Sequence, residues 1–358
     1  MDHSEASWNL FGKYPLVNSH KTCHKSTVAQ DTVAAILSND RPLIRGVAVR
    51  VLITDLDLGD PGYEVARLER ELGAQVRVAR CASEAEVLRE IEEFDPHALL
   101  VQWAPITAAV LAAASSCRLI SRVGIGIDMI DTAAAREREI EVRNVPDYCV
   151  EEVAGHAVAL GLALWRRLPQ FDAEVRAGAW DAATGAPTMK RLSTATVGLF
   201  GFGRIGTLVG RAYAAMGARV LVCDPYATDI GYQRASFDNL LRESDLISVH
   251  APLTDDTRHA IDGAALARTR RQPILVNTSR GPIIDAHALN GALRDGTVSG
   301  AGLDVFDSEP LPADSPLRTA PNTILTPHAS WCSREAMPAL RAGAVQNIID
   351  AFAAAERS

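Results

Sequence analysis

From Val47 onward, short runs of apolar residues alternate with longer stretches in which apolar residues recur at helical spacing. In the first half of the chain, the apolar runs predict strands at 47–55, 75–80, 97–103 and 118–123. The periodic stretches between them predict helices at 63–72, 83–94 and 106–115. In the second half, strands are predicted at 195–200, 219–223, 246–250, 274–278 and 299–304. Strands that alternate with helices are typical of parallel sheets covered on both faces, so the pattern predicts an α/β fold.

Four stretches stand outside this alternation. Residues 1–46 are polar and show no sustained period, so we predict a poorly ordered N-terminal extension. An Ala- and Leu-rich helix is predicted at 151–168, where it links two α/β regions. A loop-rich passage follows at 169–194, and an amphipathic helix at 333–355 closes the fold.

Composition and charge narrow the class of protein. The chain has 358 residues, of which 47% are hydrophobic, enough for two domains with buried cores. Its net charge of −8 argues against nucleic acid or an anionic membrane surface as a partner. No apolar run approaches the roughly 20 residues that span a bilayer, and no secretory signal is visible. We therefore expect a cytoplasmic protein.

The cysteines and histidines do not form a recognisable metal or disulfide pattern. Six cysteines are scattered along the chain without a C-x-x-C pair, which indicates reduced thiols. Cys23 and His24 are adjacent, but they lack further ligands at useful spacing. We expect no metal site.

A G-x-G-x-x-G motif, formed by Gly201, Gly203 and Gly206, follows the strand at 195–200 and opens a helix. The first glycine permits a tight turn, the second lets the backbone approach a pyrophosphate, and the third lets the helix pack closely. The N–H groups at the helix N-terminus face the phosphates. Asp224 ends the next strand at the spacing expected for a ribose-binding carboxylate. A carboxylate there repels a 2′-phosphate, so the motif predicts NAD rather than NADP; the alternative is a βαβ turn without a ligand.

Three later motifs stand at the ends of predicted strands, where open α/β sheets bind their ligands. The first contains Thr278, Ser279 and Arg280, the second runs from Gly302 to Pro310 and contains Asp304 and Glu309, and the third carries His328. Taken singly, Arg280 is compatible with a structural arginine and His328 with a loop histidine. Taken in this order behind a dinucleotide motif, they indicate one site.

In that order, the motifs resemble those of the D-isomer-specific 2-hydroxyacid dehydrogenases. The resemblance covers about residues 48–352, and further matching segments lie at 122–128, 144–148, 151–156 and 250–254. It implies a Rossmann-type NAD-binding domain, residues 150–330, inserted into a flavodoxin-like substrate domain, residues 47–149 and 331–358. It also implies a homodimer paired mainly through the cofactor domain, for which the passage at 169–194 is our candidate contact.

The resemblance implies that three residues interconvert a D-2-hydroxy acid and its 2-oxo acid. Arg280 suits the substrate carboxylate, because a guanidinium offers forked donors. His328 exchanges the hydroxyl proton, and Glu309 holds the imidazole and favours its charged form. Glu309 also argues against formate oxidation, because the formate dehydrogenase branch has a glutamine at that position.

The resemblance also implies cofactor and substrate contacts. Cofactor contacts are expected from Gly201, Gly203, Arg204, Ile205, Gly206, Asp224, Ala251, Pro252, Thr278, Ser279, Asp304 and His328. Among these, Asp304 is expected to face the nicotinamide amide. Substrate contacts are expected from Gln102, Trp103, Arg280 and Trp331. The loop at 102–105 is expected to offer backbone N–H groups to the substrate carboxylate, and the stretch at 122–127 to reach the rim of the cleft.

Two alternative functions stay open. Trp331, three residues beyond His328, is similar to a tryptophan of the C-terminal-binding-protein branch, which combines dehydrogenase machinery with transcriptional corepression. One alternative is therefore an NAD-sensing interaction protein with weak dehydrogenase activity; Trp331 could equally be a core aromatic residue. The other is a dehydrogenase for a phosphorylated or phosphorus-containing anion. That substrate requires cations beside Arg280, and the loop at 102–105 contains none.

Overall fold

The computed structural model describes residues 48–355 and contains two parallel sheets. The first sheet comprises β1 (Arg50–Ile53), β2 (Gln75–Val78), β3 (Ala98–Val101), β4 (Leu119–Arg122) and β5 (Glu141–Arg143). Its helices are α1 (Gly62–Leu72), α2 (Glu84–Phe94), α3 (Ala108–Ala113) and α4 (Thr132–Glu137). The strand order is β2-β1-β3-β4-β5, which is the flavodoxin-like order. The apolar strands β3 and β4 are fully buried because both of their faces are covered.

The second sheet has seven parallel strands. They are β6 (Thr196–Phe200), β7 (Arg219–Cys223), β8 (Gln233–Arg234), β9 (Leu246–Val249), β10 (Ile274–Asn277), β11 (Gly300–Leu303) and β12 (Thr323–Leu325). The order is β12-β11-β10-β9-β6-β7-β8, so the chain winds from β6 to one side and then from β9 to the other. This is a Rossmann-type sheet whose switch point lies between β6 and β9.

Helices cover the second sheet, and the last helix of the chain packs on the first sheet. Those of the second region are α5 (Val150–Trp165), α6 (Leu168–Arg176), α7 (Arg204–Ala215), α8 (Phe237–Glu243), α9 (Gly263–Leu266) and α10 (Ala286–Arg294), and the last helix is α11 (Ala336–Ala355). Helix α5 packs against the second sheet through Ala157 and Leu160. Helix α11 returns to the first sheet, where Val345 and Ile348 share a core with Val51. The inserted arrangement predicted from the sequence is thereby confirmed, and the exact domain boundaries stay a prediction.

The structure departs from the predicted elements in two ways. The passage at 169–194 is not loop throughout, because α6 occupies its first residues. This helix has no buried residue and carries a proline at its start, and its apolar residues Leu168, Phe171 and Val175 recur at helical spacing that the prediction did not use. The elements α4, β5, β8 and β12 were not predicted from the sequence. The strands β5 and β8 have only three and two residues, with mostly polar sequences.

The sequence also led to predictions about the N-terminal extension, membrane spans, metal sites and cysteines. The predicted extension at 1–46, with Cys23 and His24, lies outside the described residues. Within 48–355, no helix is long and apolar enough to cross a membrane, and no cluster of His, Cys, Asp and Glu could hold a metal ion. The five described cysteines are free thiols, and burial raises the pKa of Cys117 to about 12, so this thiol is unreactive.

Candidate active site

The glycine turn between β6 and α7 has the backbone conformation that the motif predicts. Gly201 has φ +94°, and a Cβ there would lie 2.4 Å from the backbone nitrogen of Ala251. A Cβ on Gly206 would lie 2.6 Å from the carbonyl oxygen of Gly201, so the third glycine lets α7 approach the turn. At Gly203, no described heavy atom comes within 4 Å of such a Cβ. The turn therefore has an open backbone face that a phosphate group can approach.

Asp224 lies beside this turn at the end of β7. Its Oδ2 accepts a hydrogen bond from the N–H of Phe202 at 2.7 Å, and its Oδ1 accepts from Tyr226 and Ala227 at 2.8 and 3.0 Å. Acceptor capacity remains on Oδ2 for a ribose hydroxyl. No arginine is next to Asp224 in the sequence, but the fold brings Arg234 to the same turn. Its Nη1 donates to the Asp224 carbonyl oxygen at 2.7 Å, and its Nη2 donates to that of Ala227.

The turns after β9 and β10 border the same opening. The hydroxyl of Ser279 donates to the Ala251 carbonyl oxygen at 2.5 Å and ties the two turns together. Pro252 is exposed beside them. Thr278 is buried, and its Oγ1 has no hydrogen-bond partner among the described residues. An orphaned buried hydroxyl suits a polar group of a bound cofactor.

Arg204 and Ile205 begin α7. The Arg204 side chain pairs with Asp147 at 2.9 Å, with both side chains largely exposed, and Ile205 packs against buried apolar residues. The roles of their backbone N–H groups toward a pyrophosphate stay a prediction.

His328 and Glu309 form a direct pair. His328 Nδ1 lies 2.7 Å from Glu309 Oε2, and Glu309 Oε1 accepts from the N–H of Phe306 at 2.9 Å. A carboxylate only accepts, so Nδ1 donates, and Nε2 is the ring nitrogen left to exchange a proton with a ligand. His328 has φ +52°, a left-handed conformation that few non-glycine residues adopt. The carboxylate therefore fixes both the tautomer and the orientation of the ring.

Arg280 reaches across the cleft from the end of β10. Its Nε donates to Asp128 Oδ2 at 2.5 Å, and its Nη1 donates to the Ser279 carbonyl oxygen at 2.7 Å. A Cβ on Gly126 would lie 1.3 Å from Arg280 Nη2, so only glycine leaves room for the guanidinium. Asp128 and Gly126 follow β4, and Arg280 follows β10. The Arg280–Asp128 ion pair therefore joins the carboxyl-end edges of the two sheets.

A second arginine, which the predicted site did not include as a binding residue, lies nearby. Arg122 ends β4 and is 5% exposed, and a Cβ on Gly124 would lie 1.1 Å from its Nη1. Burial, and then the positive charge of Arg280, lower the pKa of Arg122 to about 10. Its guanidinium carbon lies 5.3 Å from the ring centroid of Trp103, and that ring lies 5.5 Å from the His328 ring in an edge contact. The two glycines of R-V-G-I-G are the sequence signal for both arginines.

The predicted substrate loop is arranged differently from expectation. The N–H groups of Gln102 and Trp103 donate to the Asp55 carboxylate at 3.1 and 2.5 Å. The buried Gln102 side chain accepts from the Asp57 N–H at 2.7 Å. An acid at the end of the neighbouring strand thus accepts from both N–H groups in this structure, and the expected contact of this loop with the substrate carboxylate stays a prediction. Trp103 reaches the site by its indole ring instead.

Two further predicted residues contact the protein itself. Trp331 is half-buried, its ring lies 6.3 Å from that of Tyr148, and it packs against two apolar clusters. This fits the core-aromatic alternative, and substrate contact by Trp331 stays a prediction. Asp304 is fully buried, and its carboxylate accepts hydrogen bonds from Ala329 and Ser330, on the segment that carries His328. Its contact with the nicotinamide amide also stays a prediction.

The fold and this cleft define a class: two-domain α/β oxidoreductases in which a dinucleotide turn, an arginine and a histidine–carboxylate pair meet. A family profile described as "D-isomer specific 2-hydroxyacid dehydrogenase, NAD binding domain" matches residues 158–330. A glyoxylate reductase from Korarchaeum cryptofilum is 39% identical over 252 residues, which are 68% of this chain and 76% of that protein.

A D-3-phosphoglycerate dehydrogenase from Mycobacterium leprae is 41% identical over 273 residues, 74% of this chain but 51% of that protein. The chain thus matches about half the length of this relative. The crystal structure of D-lactate dehydrogenase from Aquifex aeolicus, complexed with NAD and lactic acid, has a TM-score of 0.74 at 28% identity, covering 85% of this chain and 95% of that one. The chain belongs to the D-isomer-specific 2-hydroxyacid dehydrogenase family, NAD-dependent oxidoreductases that act on CH–OH groups, and its cofactor is NAD.

Proposed function

We propose that this chain interconverts a D-2-hydroxy acid and its 2-oxo acid, with His328 exchanging the hydroxyl proton, Glu309 orienting His328 and Arg280 binding the carboxylate. The observation that carries the proposal is the 2.7 Å contact between His328 Nδ1 and Glu309 Oε2, on the cleft edge that Arg280 also occupies. Bound NAD supplies or accepts the hydride. Proton exchange, the orientation of His328 and carboxylate binding are carried out by the side chains of the protein.

The His328–Glu309 pair suits proton transfer in both directions. During reduction, the imidazolium of His328 donates a proton from Nε2 to the carbonyl oxygen, while Glu309 offsets the positive charge at Nδ1. During oxidation, neutral His328 accepts the hydroxyl proton at the same nitrogen. The bond from Phe306 holds the other oxygen of Glu309, so the carboxylate keeps its orientation through the cycle.

Arg280 suits the substrate carboxylate because its remaining N–H groups form a charged donor edge. Asp128 holds Nε, which fixes the plane of the guanidinium. A carboxylate can then accept a charge-assisted hydrogen bond from the Nη groups.

The test is oxidation of NADH over a panel of 2-oxo acids by the wild type and by His328→Gln. General acid catalysis contributes about 10²- to 10⁴-fold, so we expect a loss of that size in kcat. His287→Gln, an exposed histidine on α10, is the matched control and retains activity. Undiminished activity in His328→Gln would refute the proton-transfer role. Weak turnover on every acid, combined with NADH-dependent partner binding, would favour the NAD-sensing alternative.

A second candidate substrate class is favoured by Arg122. The loop at 102–105 has no cation for a phosphorylated substrate, but Arg122, at the end of β4, lies close enough for Arg280 to lower its pKa. An additional anionic group on the substrate would offset both the burial of Arg122 and its repulsion by Arg280, the two causes of its lowered pKa.

The two substrate classes differ in how they respond to Arg122→Met. If the substrate has a second anionic group, kcat/KM falls about 100-fold for a phosphorylated 2-oxo acid and only slightly for an unphosphorylated one of equal chain length. Equal losses of kcat/KM on both acids would show that Arg122 does not recognise the additional anionic group. The relatives' names, glyoxylate reductase and D-3-phosphoglycerate dehydrogenase, span the two classes.

The homodimer proposal is supported by exposed apolar side chains on α6 and just after it. Leu168, Val175 and Trp180 are 56%, 52% and 89% exposed. Grouped apolar exposure of this kind is typical of an interface. Light scattering after size exclusion should give a dimer for the wild type and a smaller mass for Trp180→Ser combined with Leu168→Asp. An unchanged mass would place the contact elsewhere.

A further inference from the structure

Three side chains outside the proposed proton-transfer pair form a chain of hydrogen bonds that ends at the segment carrying His328. His156 Nε2 lies 3.0 Å from Thr326 Oγ1, and Thr326 Oγ1 donates to Asp304 Oδ1 at 2.6 Å. Asp304 then accepts from the N–H groups of Ala329 at 2.8 Å and Ser330 at 2.9 Å. We refer to His156, Thr326 and Asp304 as the supporting triad.

The direction of each bond in the supporting triad follows from donor and acceptor capacity. The Thr326 hydroxyl has one proton, which it gives to the Asp304 carboxylate. The hydroxyl oxygen must therefore accept from His156, so His156 carries a proton on Nε2. Removing the Thr326 hydroxyl takes one of the two donors from Asp304 Oδ1, and removing His156 takes the donor from Thr326 Oγ1.

The fold brings the supporting triad together through one close contact. A Cβ on Gly302 would lie 2.9 Å from Leu160 Cβ, so the glycine lets α5 approach β11 closely. Asp304 follows Gly302 by two residues and shares its face of the strand, and His156 precedes Leu160 by one helical turn. β11 and β12 pair in parallel through Leu303 and Leu325, which sets Asp304 and Thr326 as the next neighbours.

The supporting triad holds the segment from His328 to Ser330, which begins with a residue in an uncommon backbone conformation. His328 has φ +52°, and its N–H donates to the carbonyl oxygen of Asp304 at 2.9 Å. The next two N–H groups donate to the carboxylate of the same residue. Asp304 thus fixes the backbone from His328 to Ser330, and a residue in a sparsely populated conformation persists only where its surroundings determine it.

We propose that Thr326 and His156 are positioning residues for His328, acting through Asp304. The inference rests on the proposed function, since positioning His328 matters to turnover only if His328 exchanges the proton. The Thr326 carbonyl oxygen accepts from the His328 N–H at 3.0 Å, but the side chains of Thr326 and His156 make their hydrogen bonds to each other and to Asp304, away from the Glu309–His328 pair. Their effect is on the placement of the segment, and a displacement of about 1 Å at a reacting group costs on the order of 100-fold in rate.

The test compares Thr326→Val, which keeps the shape but lacks the hydroxyl, with Thr326→Ser, which keeps the hydroxyl. We expect Thr326→Val to lower kcat about 10- to 100-fold while the KM for NADH changes less than about 3-fold. The solvent deuterium isotope effect on kcat should increase, because proton transfer from a misplaced His328 becomes rate-limiting. Thr326→Ser should restore most of kcat. Thr323→Val, in the strand β12 that leads to Thr326 and with its hydroxyl bound to the Ala320 carbonyl oxygen, is the matched control.

A second pair of variants keeps the proposal testable if Thr326→Val does not fold. His156→Gln retains a donor near the position of Nε2, whereas His156→Leu does not. We expect His156→Leu to lower kcat about 10-fold and His156→Gln to retain most of it.

The outcomes separate this proposal from the proposed function. If His328→Gln is inactive but Thr326→Val and His156→Leu behave like the wild type, the positioning role is overturned and the proposed function stands. Equal losses in Thr326→Val and Thr326→Ser, with no change in the isotope effect, would also overturn it. If His328→Gln remains fully active, the proposed function itself fails.

Discussion

The two sheets contribute to the cleft in physically different ways. At the dinucleotide turn of the second sheet, the groups are fixed by backbone: Asp224 accepts from three N–H groups, and a Cβ on Gly201 would lie 2.4 Å from the backbone nitrogen of Ala251. At the first sheet, the groups that reach the cleft are the ends of long side chains, chiefly those of Arg122 and Trp103. Side-chain ends can shift at little cost, whereas packed backbone cannot. We therefore expect the substrate side to tolerate substitution without loss of NAD binding, and the cofactor side to tolerate very little.

The strongest way to test this difference is Gly201→Ala. The added Cβ would meet the Ala251 backbone nitrogen at 2.4 Å, in a conformation with φ +94° that side chains rarely adopt. Because no side chain can move aside, we expect NADH affinity to fall by about 100-fold or more. Gly155→Ala, in α5 with no described heavy atom within 4 Å of its Cβ position, is the control. Fluorescence titration of NADH measures both, and wild-type affinity in Gly201→Ala would contradict the backbone argument.

The corresponding change on the substrate side is Gly126→Ala. Its Cβ would meet Arg280 Nη2 at 1.3 Å, which is the end of a flexible side chain. We expect the guanidinium to be displaced, raising the KM for the 2-oxo acid about 10- to 100-fold while NADH affinity stays within about 2-fold. Gly291→Ala, in α10 with open space around it, should leave both constants unchanged. An equal loss of NADH affinity would remove the distinction between the two sides.

Asp224→Ala tests which residue on the cofactor side sets the preference for NADH over NADPH. Loss of the carboxylate removes the ribose acceptor and the repulsion of a 2′-phosphate, and it leaves Arg234 at the same turn. We expect NADH affinity to fall about 10-fold and the preference over NADPH to shrink by a similar factor. Titrating both cofactors tests this, with Asp229→Ala as a control on the same loop. A preference for NADH that survives intact would show that Asp224 does not set it.

The smallest effect is expected at the ion pair of Arg204 and Asp147. Both side chains are largely exposed, and exposed pairs contribute about 0–1 kcal/mol. Asp147→Asn should change thermal stability little and NADH affinity less than about 3-fold. A large change in NADH affinity would mean that this pair, rather than the glycine turn, controls access to the cofactor site.

Local motifs account for what could be predicted from the sequence. The glycine turn and Asp224 follow each other in one βαβ unit, so spacing alone was sufficient to predict their arrangement. The Glu309–His328 contact could be expected only through the family resemblance, because the two residues lie on separate loops. Its 2.7 Å geometry became visible in the fold.

Other features depend on contacts between distant segments, which a single sequence does not encode in a readable form. Arg122 and Arg280 belong to different sheets, and their proximity depends on how those sheets meet. Asp55 satisfies the N–H groups of Gln102 and Trp103 across neighbouring strands, so the predicted substrate loop was assigned donors that were already used. Glycines 124 and 126 were visible in the sequence, but the guanidiniums that require them were not.

The most direct test of the central claim measures binding and turnover on the same sample of His328→Gln. NADH affinity is followed by fluorescence and NADH oxidation by nicotinamide absorbance, with the best 2-oxo acid of the panel. We predict NADH affinity within about 2-fold of the wild type and a kcat lower by about 10²- to 10⁴-fold, because glutamine is a polar side chain of similar size that cannot exchange the proton. Turnover at the wild-type rate with unchanged NADH affinity would contradict the assignment of His328.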